Sequence, residues 1–539
     1  MNFKYISHIV PAAVLALSLG TTSCVGDLDV EPIDPSTIME PDVNALLNKC
    51  YANLAVVGNG GANGDTDIDS NDGGTTNFIR QIFNANELPT DEAICPWGDE
   101  GIADFNYGRW TSTHPMVEML YYRLYFGITM CNSFIDENSD YDQAMTAEVR
   151  FLRALQYYYL MDTFGNIPFL EHVSSEKAPQ VDRATVFAFV EKELLECVEN
   201  MNEPAVKTDA LLGSGYGRAD KAAAWLLLAR LYLNAEVYTG TAQWEKAKEY
   251  AKKVIDSPYS LNTNGKNGWT AYQMLFMGDN GSNGASCEAI LPLLQDGQNT
   301  TAWGGTLFLM AGCYKDDMID DQFTNGNNTV ENWQGNRARP DLIKKFFPAG
   351  NAPTGITTKA MTEAAQDDRA LFWSKDRTLD IDDPSVFEQG FSVTKYNNYY
   401  ADGGVPHHTQ FPDADFFLMR YAEALLTYAE ADARLNGGTC SAEGKAAIDE
   451  IRDRAHASKQ ASYDLDFILN EWSREFYFEG RRRIDLIRFG QFGGDGATYK
   501  WQWKGGVKAG GKIAAFRNIY AIPESDKNAN DNLDQNPGY

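Results

Sequence analysis

Hydrophobic residues recur with the period of an α-helix in three separate stretches of the chain. In each stretch, apolar side chains occupy positions i, i+3, i+4 and i+7, which lie on one face of a helix. The three stripes consist of Phe151, Ala154, Leu155 and Tyr158; of Trp225, Leu228, Ala229 and Tyr232; and of Leu418, Tyr421, Ala422 and Leu425. A second amphipathic segment follows each stripe after a break, at 185–201, 244–255 and 442–455. The pattern therefore predicts three pairs of consecutive helices.

The pair predicted at 222–255 combines large aromatic residues with small alanines. Trp225 and Tyr232 lie on its first helix, and Ala247 and Ala251 lie on its second. Small side chains facing large ones are typical of tetratricopeptide-like repeats, although alanine-rich helices also pack closely in a generic bundle. We favour the repeat interpretation. The predicted fold class is all-α dominated: a tetratricopeptide-like helical-repeat scaffold with long loop-rich insertions and minor β structure.

Helical and loop-rich regions alternate along the chain. Further single helices are predicted at 41–57, 115–136 and 466–489, which gives helical repeats near 41–57, 115–260 and 413–490. Two regions lack a helical period and contain many Gly and Asn residues, 58–113 and 262–412. Long loops on a rigid scaffold often carry function, so we expect the binding groups in these two regions.

The N-terminus has the pattern of an export signal. Lys4 precedes an apolar run at 9–19, four small residues and then Cys24. The apolar run is shorter than the roughly 20 residues that span a bilayer. A cysteine at the cleavage point predicts a lipoprotein signal peptide at 1–23, with acylated Cys24 as the anchor of a domain at 24–539. The alternative is an ordinary signal peptide with an incidental cysteine.

Composition narrows the classes of ligand. The formal net charge is −29, whereas binding to nucleic acid needs a basic surface. Nucleic acid is therefore not expected as a partner, while uncharged sugars and peptides remain compatible. The seven cysteines other than Cys24 are scattered and show no CxxC spacing, so the sequence indicates neither a zinc site nor an assignable disulfide framework.

Catalytic signatures are missing from the sequence. It contains no HExxH, GxSxG or Walker-type motif, and its carboxylate pairs, such as Asp99 and Glu100, do not reveal the separation that a glycosidase needs. We therefore expect no enzyme.

A short acidic run raises the question of a metal. Asp65, Asp67 and Asp69 resemble the start of a calcium loop, but Ser70 and Thr76 occupy the positions where an EF-hand has Gly and Glu. A solvated turn is favoured over a calcium site, and no other cofactor is expected.

Aromatic residues cluster in the two loop-rich regions. Rings next to short polar side chains can stack on the apolar face of a pyranose while carboxylates and amides bind its hydroxyls. The alternative is that these rings fill space beneath long loops. The candidate glycan-binding residues are Trp97, Asp99, Tyr107 and Trp110 in the first region, and Trp269, Trp303 and Trp333 in the second.

Several motifs, in this order, resemble the SusD/RagB family of nutrient-uptake lipoproteins. They are Cys24 with the acidic 27–32, Glu148–Ala154 leading into Phe164–Pro168, Arg218-Ala219, Arg420–Glu423, Glu475–Arg483 with Asp485–Arg488, and Ile522-Pro523 with Asn532–Tyr539. Trp97 with Asp99 resembles a region where members carry a sugar-stacking tryptophan. In this interpretation Arg150, Arg153 and Glu475 form ion pairs between helices, and the C-terminal residues form a docked tail.

The resemblance implies a non-catalytic lipoprotein at the surface of the outer membrane, with four tetratricopeptide-like units. Such a protein captures an oligosaccharide and delivers it to a SusC-like TonB-dependent transporter. The motifs do not identify the glycan. Two alternatives stay open: a nutrient-uptake lipoprotein that binds peptides or proteins, and a surface glycoside hydrolase.

Overall fold

The computed structural model describes residues 42–70, 72–211 and 213–539. The predicted signal peptide at 1–23 and the lipidation site Cys24 lie outside these residues and stay predictions. Contacts divide the chain into two units, Met1–Leu46 and Leu47–Tyr539, and the second is described below. Among the described residues, no helix combines the length and the apolar character needed to cross a membrane.

Helices carry most of the regular structure. They are α1 Val43–Ala55, α2 Phe78–Asn86, α3 Ile102–Tyr107, α4 Pro115–Asn138, α5 Gln143–Phe164, α6 Arg183–Cys197, α7 Lys221–Leu233, α8 Ala235–Thr239, α9 Trp244–Ile255, α10 Thr306–Ala311, α11 Pro340–Phe346, α12 Thr358–Ala365, α13 Tyr421–Leu435, α14 Ala442–Arg454, α15 Leu465–Phe476, α16 Arg482–Arg488 and α17 Glu524–Ala529. Several begin at an aspartate whose carboxylate accepts a backbone N–H of the first turn: Asp142 from Met145 at 2.9 Å, Asp182 from Thr185 at 2.7 Å and Asp464 from Phe467 at 2.8 Å.

Strands are short and pair two by two. They are β1 Ala93–Ile94, β2 Ile167–Pro168, β3 Gln180–Val181, β4 Ala289–Leu293, β5 Arg337–Ala338, β6 Phe372–Trp373, β7 Ser392–Val393 and β8 Phe416–Arg420. The pairs β1–β5, β2–β3, β4–β8 and β6–β7 are all antiparallel. This minor β structure in a helix-dominated chain confirms the predicted fold class.

The three predicted helix pairs are present, but the helical stripe predicted from Leu418 is wrong at that residue, which lies in β8 before α13 begins. Helix α5 packs on α6, α7 on α9, and α13 on α14; α13 also packs on α9 and so joins the second and third pairs. Ala247 and Ala251 of α9 are fully buried. Their small side chains allow the neighbouring helices to pack closely against α9. The predicted ion pairs of the first pair are also confirmed: Arg150 and Arg153 both contact Glu193 of α6, at 2.5 and 2.6 Å.

The prediction of one helix over 466–489 is wrong, because the chain turns between α15 and α16. Phe478 and Gly480 both have positive φ, +64° and +76°. A β-carbon at Gly480 would also lie 3.1 Å from the side chain of Ile82. The turn allows Glu475 and Glu479 to bind the same guanidinium, that of Arg420, at 2.7 and 2.8 Å.

Arg420 belongs to a network of fully buried charges, which we call the ionic core. Its members are Glu288, Arg369, Arg420, Arg454, Glu475 and Glu479. Burial alone would raise the pKa of Glu475, but the guanidinium groups of Arg454, Arg420 and Arg369 hold that pKa below its usual range. The ionic core connects the ends of β4 and β8 to α14 and α15, so it fixes the C-terminal half of the scaffold. The ion pairing predicted for Glu475 is confirmed.

Candidate functional site

Pairing of β1 with β5 brings the two loop-rich regions together. Ala93 lies opposite Ala338 and Ile94 opposite Arg337. Because the pairing is antiparallel, the residues that follow β1 run alongside those that precede β5. Trp97 accordingly meets Trp333, and its indole N–H donates to the Trp333 carbonyl oxygen at 3.1 Å.

Helix α10 forms the floor beneath these residues. The Trp333 N–H donates to the Ala311 carbonyl at 2.7 Å, and the Gly335 N–H donates to the Gly312 carbonyl at 2.7 Å. The ring of Phe308 meets that of Trp97 edge to face, with centroids 6.0 Å apart. A β-carbon at position 335 would lie 2.4 Å from the Trp97 ring, so only glycine allows the loop to pass at this distance.

Three half-buried tryptophan rings form a curved surface, which we call the tryptophan arc: Trp97, Trp333 and Trp303, in that order. The centroid of Trp333 is 6.3 Å from that of Trp97 and 6.2 Å from that of Trp303. The ring planes are inclined by 55° and 39°. Phe411 supports Trp303 from below at 5.0 Å. Since neighbouring rings are tilted rather than coplanar, the arc suits a ligand that curves.

All three indole N–H groups of the tryptophan arc already donate to protein oxygens. Besides the bond from Trp97 to the Trp333 backbone, Trp303 donates to Asn63 Oδ1 at 3.0 Å, and Trp333 donates to Glu331 Oε2 at 2.6 Å. These bonds fix the ring orientations, and because each residue is only half-buried, part of each ring is left for a ligand. The arc can therefore stack on apolar surfaces, whereas polar contacts must come from neighbouring side chains.

Arg80 of α2 is a neighbouring side chain that can make such polar contacts. Its buried guanidinium lies 5.9 Å from the Trp97 ring, with Nη1 3.6 Å from Asp72 Oδ2 and Nη2 3.9 Å from Asp99 Oδ1. Burial lowers the pKa of Arg80, and the two carboxylates oppose that effect. Arg80 Nε is buried and has no hydrogen-bond partner among the described residues. With the half-exposed carboxylates of Asp72 and Asp99, this group can bind ligand hydroxyls.

The sequence pointed to Asp99 but missed Arg80, Asp72, Glu331 and Phe411. One signal was present for Arg80, which is the only charged residue in the largely apolar start of α2, Phe78-Ile79-Arg80-Gln81-Ile82-Phe83. Asp72 and Glu331 belong to long acidic loops without period, where nothing in the sequence distinguishes them from other carboxylates. Phe411 reaches the site only through the fold of the distant segment before β8.

The acidic run next to the arc is divided between two roles. Asp67 pairs with Lys49 at 2.6 Å and with Arg123 at 3.3 Å, so its carboxylate is already neutralised. Asp65 and Asp69 line an open cleft of about 870 Å³ beside Trp303. Across the described ranges, no three His, Cys, Asp or Glu side chains converge as metal ligands. The solvated turn that the sequence favours over a calcium site stays a prediction.

The prediction that Trp110 contacts a glycan is wrong, because its ring is fully buried. Trp110 packs on Tyr520 with centroids 4.3 Å apart, and its indole N–H donates to the hydroxyl of Tyr539 at 2.6 Å. Asn536 donates to the carbonyls of Phe164 and Tyr520, both at 2.7 Å. Trp110 is thus part of the surface that receives the C-terminal residues, and the predicted docked tail is confirmed.

Two further candidates have aromatic neighbours that are not members of the arc. The half-buried Tyr107 lies 6.1 Å from Trp503, and the half-buried Trp269 lies 5.6 Å from Tyr399. Ligand binding by Tyr107 and Trp269 stays a prediction. The structure therefore brings together Trp97, Asp99, Trp303 and Trp333 from the predicted set.

Sequence comparison identifies relatives over the whole chain. Residues 261–539 match the profile described as SusD family, and residues 28–233 match a profile described as starch-binding associating with outer membrane. The chain is 40% identical to the starch-binding protein SusD of Bacteroides thetaiotaomicron over 577 aligned positions, which cover 100% of both chains. It is 25% identical to a SusD-like protein of Bacteroides ovatus, over 71% of this chain and 67% of the relative.

Solved structures share the fold at lower identity. A laminarin-binding SusD-like protein superposes with a TM-score of 0.67 at 21% identity, covering 93% of this chain and 99% of that one. A SusD-like protein from Bacteroides fragilis superposes with a TM-score of 0.65 at 18% identity, covering 92% and 96%. Likeness at this level of identity concerns the fold alone.

Proposed function

The chain belongs to the SusD family, and on that premise we propose that it captures starch-type α-glucan oligosaccharides on the tryptophan arc. In this proposal the ligand passes to a SusC-like TonB-dependent transporter in the outer membrane, and the protein performs no chemistry of its own. The observation that carries the proposal is the arc itself: three tilted, half-buried rings beside Arg80, Asp72 and Asp99.

Ring geometry supports an α-linked ligand. Chains of α-1,4-linked glucose curve, whereas chains of β-1,4-linked glucose are extended and flat. Because adjacent rings of the arc are inclined by 55° and 39°, a curved chain can stack on all three, but a flat ribbon cannot. The name of the relative at 40% identity, a starch-binding protein, supports the same ligand class.

Family membership supports the cellular role. The profile matched by residues 28–233 is described as associating with outer membrane, which agrees with an anchor at Cys24. Delivery to a SusC-like transporter follows from the resemblance of the motifs to the SusD/RagB family. Cross-linking in the native membrane, followed by identification of the linked protein, tests this partnership. Recovery of no TonB-dependent transporter would contradict it.

A role in binding rather than hydrolysis fits the carboxylates at the site. A glycosidase needs one carboxyl group that donates a proton and a second across the scissile bond. Asp72 and Asp99 instead face the same guanidinium, that of Arg80, an arrangement that suits ion pairing. Release of reducing sugar from starch by the purified protein would support the hydrolase alternative instead.

Calorimetric titration tests the ligand class. The full-length protein in detergent is titrated with maltoheptaose, with cellohexaose and with a mixture of short peptides. We expect binding of maltoheptaose, and Trp303→Ala should weaken it about tenfold or more, because a stacked ring contributes roughly 1 kcal/mol or more beyond its buried area. Trp244→Ala is the matched control, since Trp244 is also half-buried but stacks on Arg434 of the scaffold.

The outcomes separate the alternatives. Binding of maltoheptaose that Trp303→Ala leaves unchanged would mean that the ligand does not occupy the arc. Binding of cellohexaose alone would contradict the starch assignment. Binding of peptides alone would favour the peptide-uptake alternative.

A further inference from the structure

One member of the tryptophan arc is bonded to a pair of side chains that are not members of the arc. The Trp333 indole N–H donates to Glu331 Oε2 at 2.6 Å, and Glu331 Oε1 accepts from Gln410 Nε2 at 2.7 Å. Trp97 and Trp303 have simpler partners, a backbone carbonyl and the side chain of Asn63. The central ring is thus the only one of the three whose donor bond leads through a carboxylate to a further side chain.

Gln410 comes from a distant part of the chain, residues 401–411, which we call the rim loop. The Val330 N–H donates to the carbonyl of Thr409 at 2.9 Å, which attaches the rim loop to the segment that carries Glu331. At the C-terminal end of the rim loop, Phe411 supports Trp303, with ring centroids 5.0 Å apart. The rim loop therefore contacts the arc at two points, beneath Trp303 and behind Trp333.

The base of the rim loop is fixed by Asp413. Its carboxylate accepts from the hydroxyl of Tyr400 and the backbone N–H of His407, at 2.8 and 2.9 Å, and it pairs with His407 Nδ1 at 2.9 Å. Because these bonds fix both ends of the loop, Gln410 has a defined position. It can therefore serve as a fixed support for Glu331.

Backbone bonds leave only side-chain rotation at the central ring. The N–H of Trp333 and its carbonyl are both bonded, to Ala311 and to Trp97, so the remaining motion is rotation of the side chain about χ1 and χ2. The ring is only half-buried, so its packing against Trp97 and Trp303 leaves part of it unsupported. The bond to Glu331 adds a directional restraint on its inclination.

We propose that Glu331, supported by Gln410, is a positioning residue that sets the tilt of Trp333 and thereby the preference of the arc for a curved glycan. This inference rests on the proposed function. The tilt matters because Trp333 is shared by both ring pairs, so its rotation changes the 55° and the 39° inclinations together. A ring free to rotate can become more nearly coplanar with a neighbour, which favours extended chains.

The test compares Glu331→Ala and Glu331→Gln. The alanine removes the acceptor, and we expect affinity for maltoheptaose to fall about three- to tenfold, the range of one ordinary hydrogen bond lost at a partly exposed ring. Affinity for cellohexaose should fall less, so the ratio of the two affinities narrows. The glutamine keeps an acceptor oxygen for the indole N–H and should stay within about twofold of the parent protein. Gln410→Ala, which removes only the support, should lie between the two.

Asp316→Ala is the matched control. Asp316 accepts from Asn332 Nδ2 at 3.0 Å. This variant therefore removes the carboxylate partner of Asn332, the residue next to Trp333, and leaves the bonds of the Trp333 ring in place. Its affinities and their ratio should equal those of the parent protein.

Two results would overturn the inference: Glu331→Ala with unchanged affinities and ratio, or Asp316→Ala with the same losses as Glu331→Ala. Should Glu331→Ala lower the melting temperature, the comparison of Glu331→Gln with Gln410→Ala decides instead, and equal affinities for these two would overturn the inference. If the parent protein binds maltoheptaose, these results leave the proposed function intact. If it does not, the proposed function fails first and this inference with it.

Discussion

The ionic core and the tryptophan arc reverse the usual distribution of side chains between inside and outside. Charged residues such as Arg420 and Glu475 have no exposed side-chain surface, whereas large rings such as Trp303 and Trp333 remain partly exposed to solvent. Buried charges and exposed large apolar groups are the two observations that require a specific explanation in a folded protein. Here the two explanations differ: the first concerns the fold and the second a ligand.

The contrast also shows how each region tolerates change. A buried ion pair is stable only while each charge keeps its partners, because an unpaired charge in a nonpolar interior is strongly unfavourable. The stability of the fold does not depend on the partly exposed rings in this way, since water can fill the space when a half-buried ring is removed from a loop. Substitutions in the ionic core should therefore reduce stability, and substitutions in the arc should reduce binding.

Arg420→Met should have the largest effect. It leaves Glu288, Glu475 and Glu479 with fewer cations in a fully buried site, and loss of one partner from a buried network costs about 3–5 kcal/mol. Urea denaturation measures the free energy of unfolding. Lys252→Met is the control: Lys252 pairs with Asp256 on the surface of α9, and its loss should stay within about 0.5 kcal/mol. Equal stability of the two variants would remove the distinction between the ionic core and surface pairs.

A buried carboxylate without a guanidinium partner should behave differently from the ionic core. Asp415 accepts from the backbone N–H of Gln295 at 2.8 Å and the hydroxyl of Tyr216 at 2.7 Å, and burial raises its pKa to about 8. In the unfolded chain the pKa of this carboxyl group is about 4. Between these values the folded state binds more protons, so the contribution of Asp415 to stability falls as pH rises.

Asp415→Asn checks this dependence. The amide stays neutral and can form hydrogen bonds with both Gln295 and Tyr216. In the parent protein, Asp415 lowers the free energy of unfolding by at most about 1.4 kcal/mol for each pH unit between pH 5 and pH 8. This fall should become smaller in the variant. Urea denaturation at several pH values measures the slope. A variant with the same slope as the parent protein would show that other groups cause the dependence.

Sequence patterns predicted the scaffold well because its physical signals are periodic and local. The stripes at Phe151–Tyr158 and Trp225–Tyr232 follow the helix period. The turn after α15 was missed although Gly480, whose φ is positive, lies within it. Arg420 was missed as the partner of Glu475 and Glu479 because these ion pairs are long-range. No local pattern reports a partner that lies more than fifty positions away.

The site was predicted only in part for a related reason. Loop tryptophans are equivalent in sequence until the fold separates them, so Trp110 became a buried support for the C-terminal tail while Trp97 joined the arc. The pairing of β1 with β5, two residues on each side, decides which loops meet. Strands this short carry too little pattern to be recognised, and the residues they bring together could not be deduced.

Gly335→Ala tests the arrangement of the rings rather than their presence, because it removes no ring. The new methyl group would lie 2.4 Å from Cζ2 and 2.5 Å from Cε2 of Trp97, so the ring must move away from Trp333 or the loop must shift. Affinity for maltoheptaose should fall about tenfold, while overpacking should cost roughly 1–3 kcal/mol of stability. Calorimetric titration and urea denaturation measure the two quantities.

The neighbouring Gly98→Ala provides the control, since a β-carbon at position 98 meets no atom within 4 Å. Both of its quantities should match those of the parent protein. If Gly335→Ala lost stability but kept its affinity, the inclination of Trp97 would not matter to the ligand. Affinity would then depend on the presence of the rings rather than on their arrangement, and the arc would be a set of independent contacts instead of one curved surface.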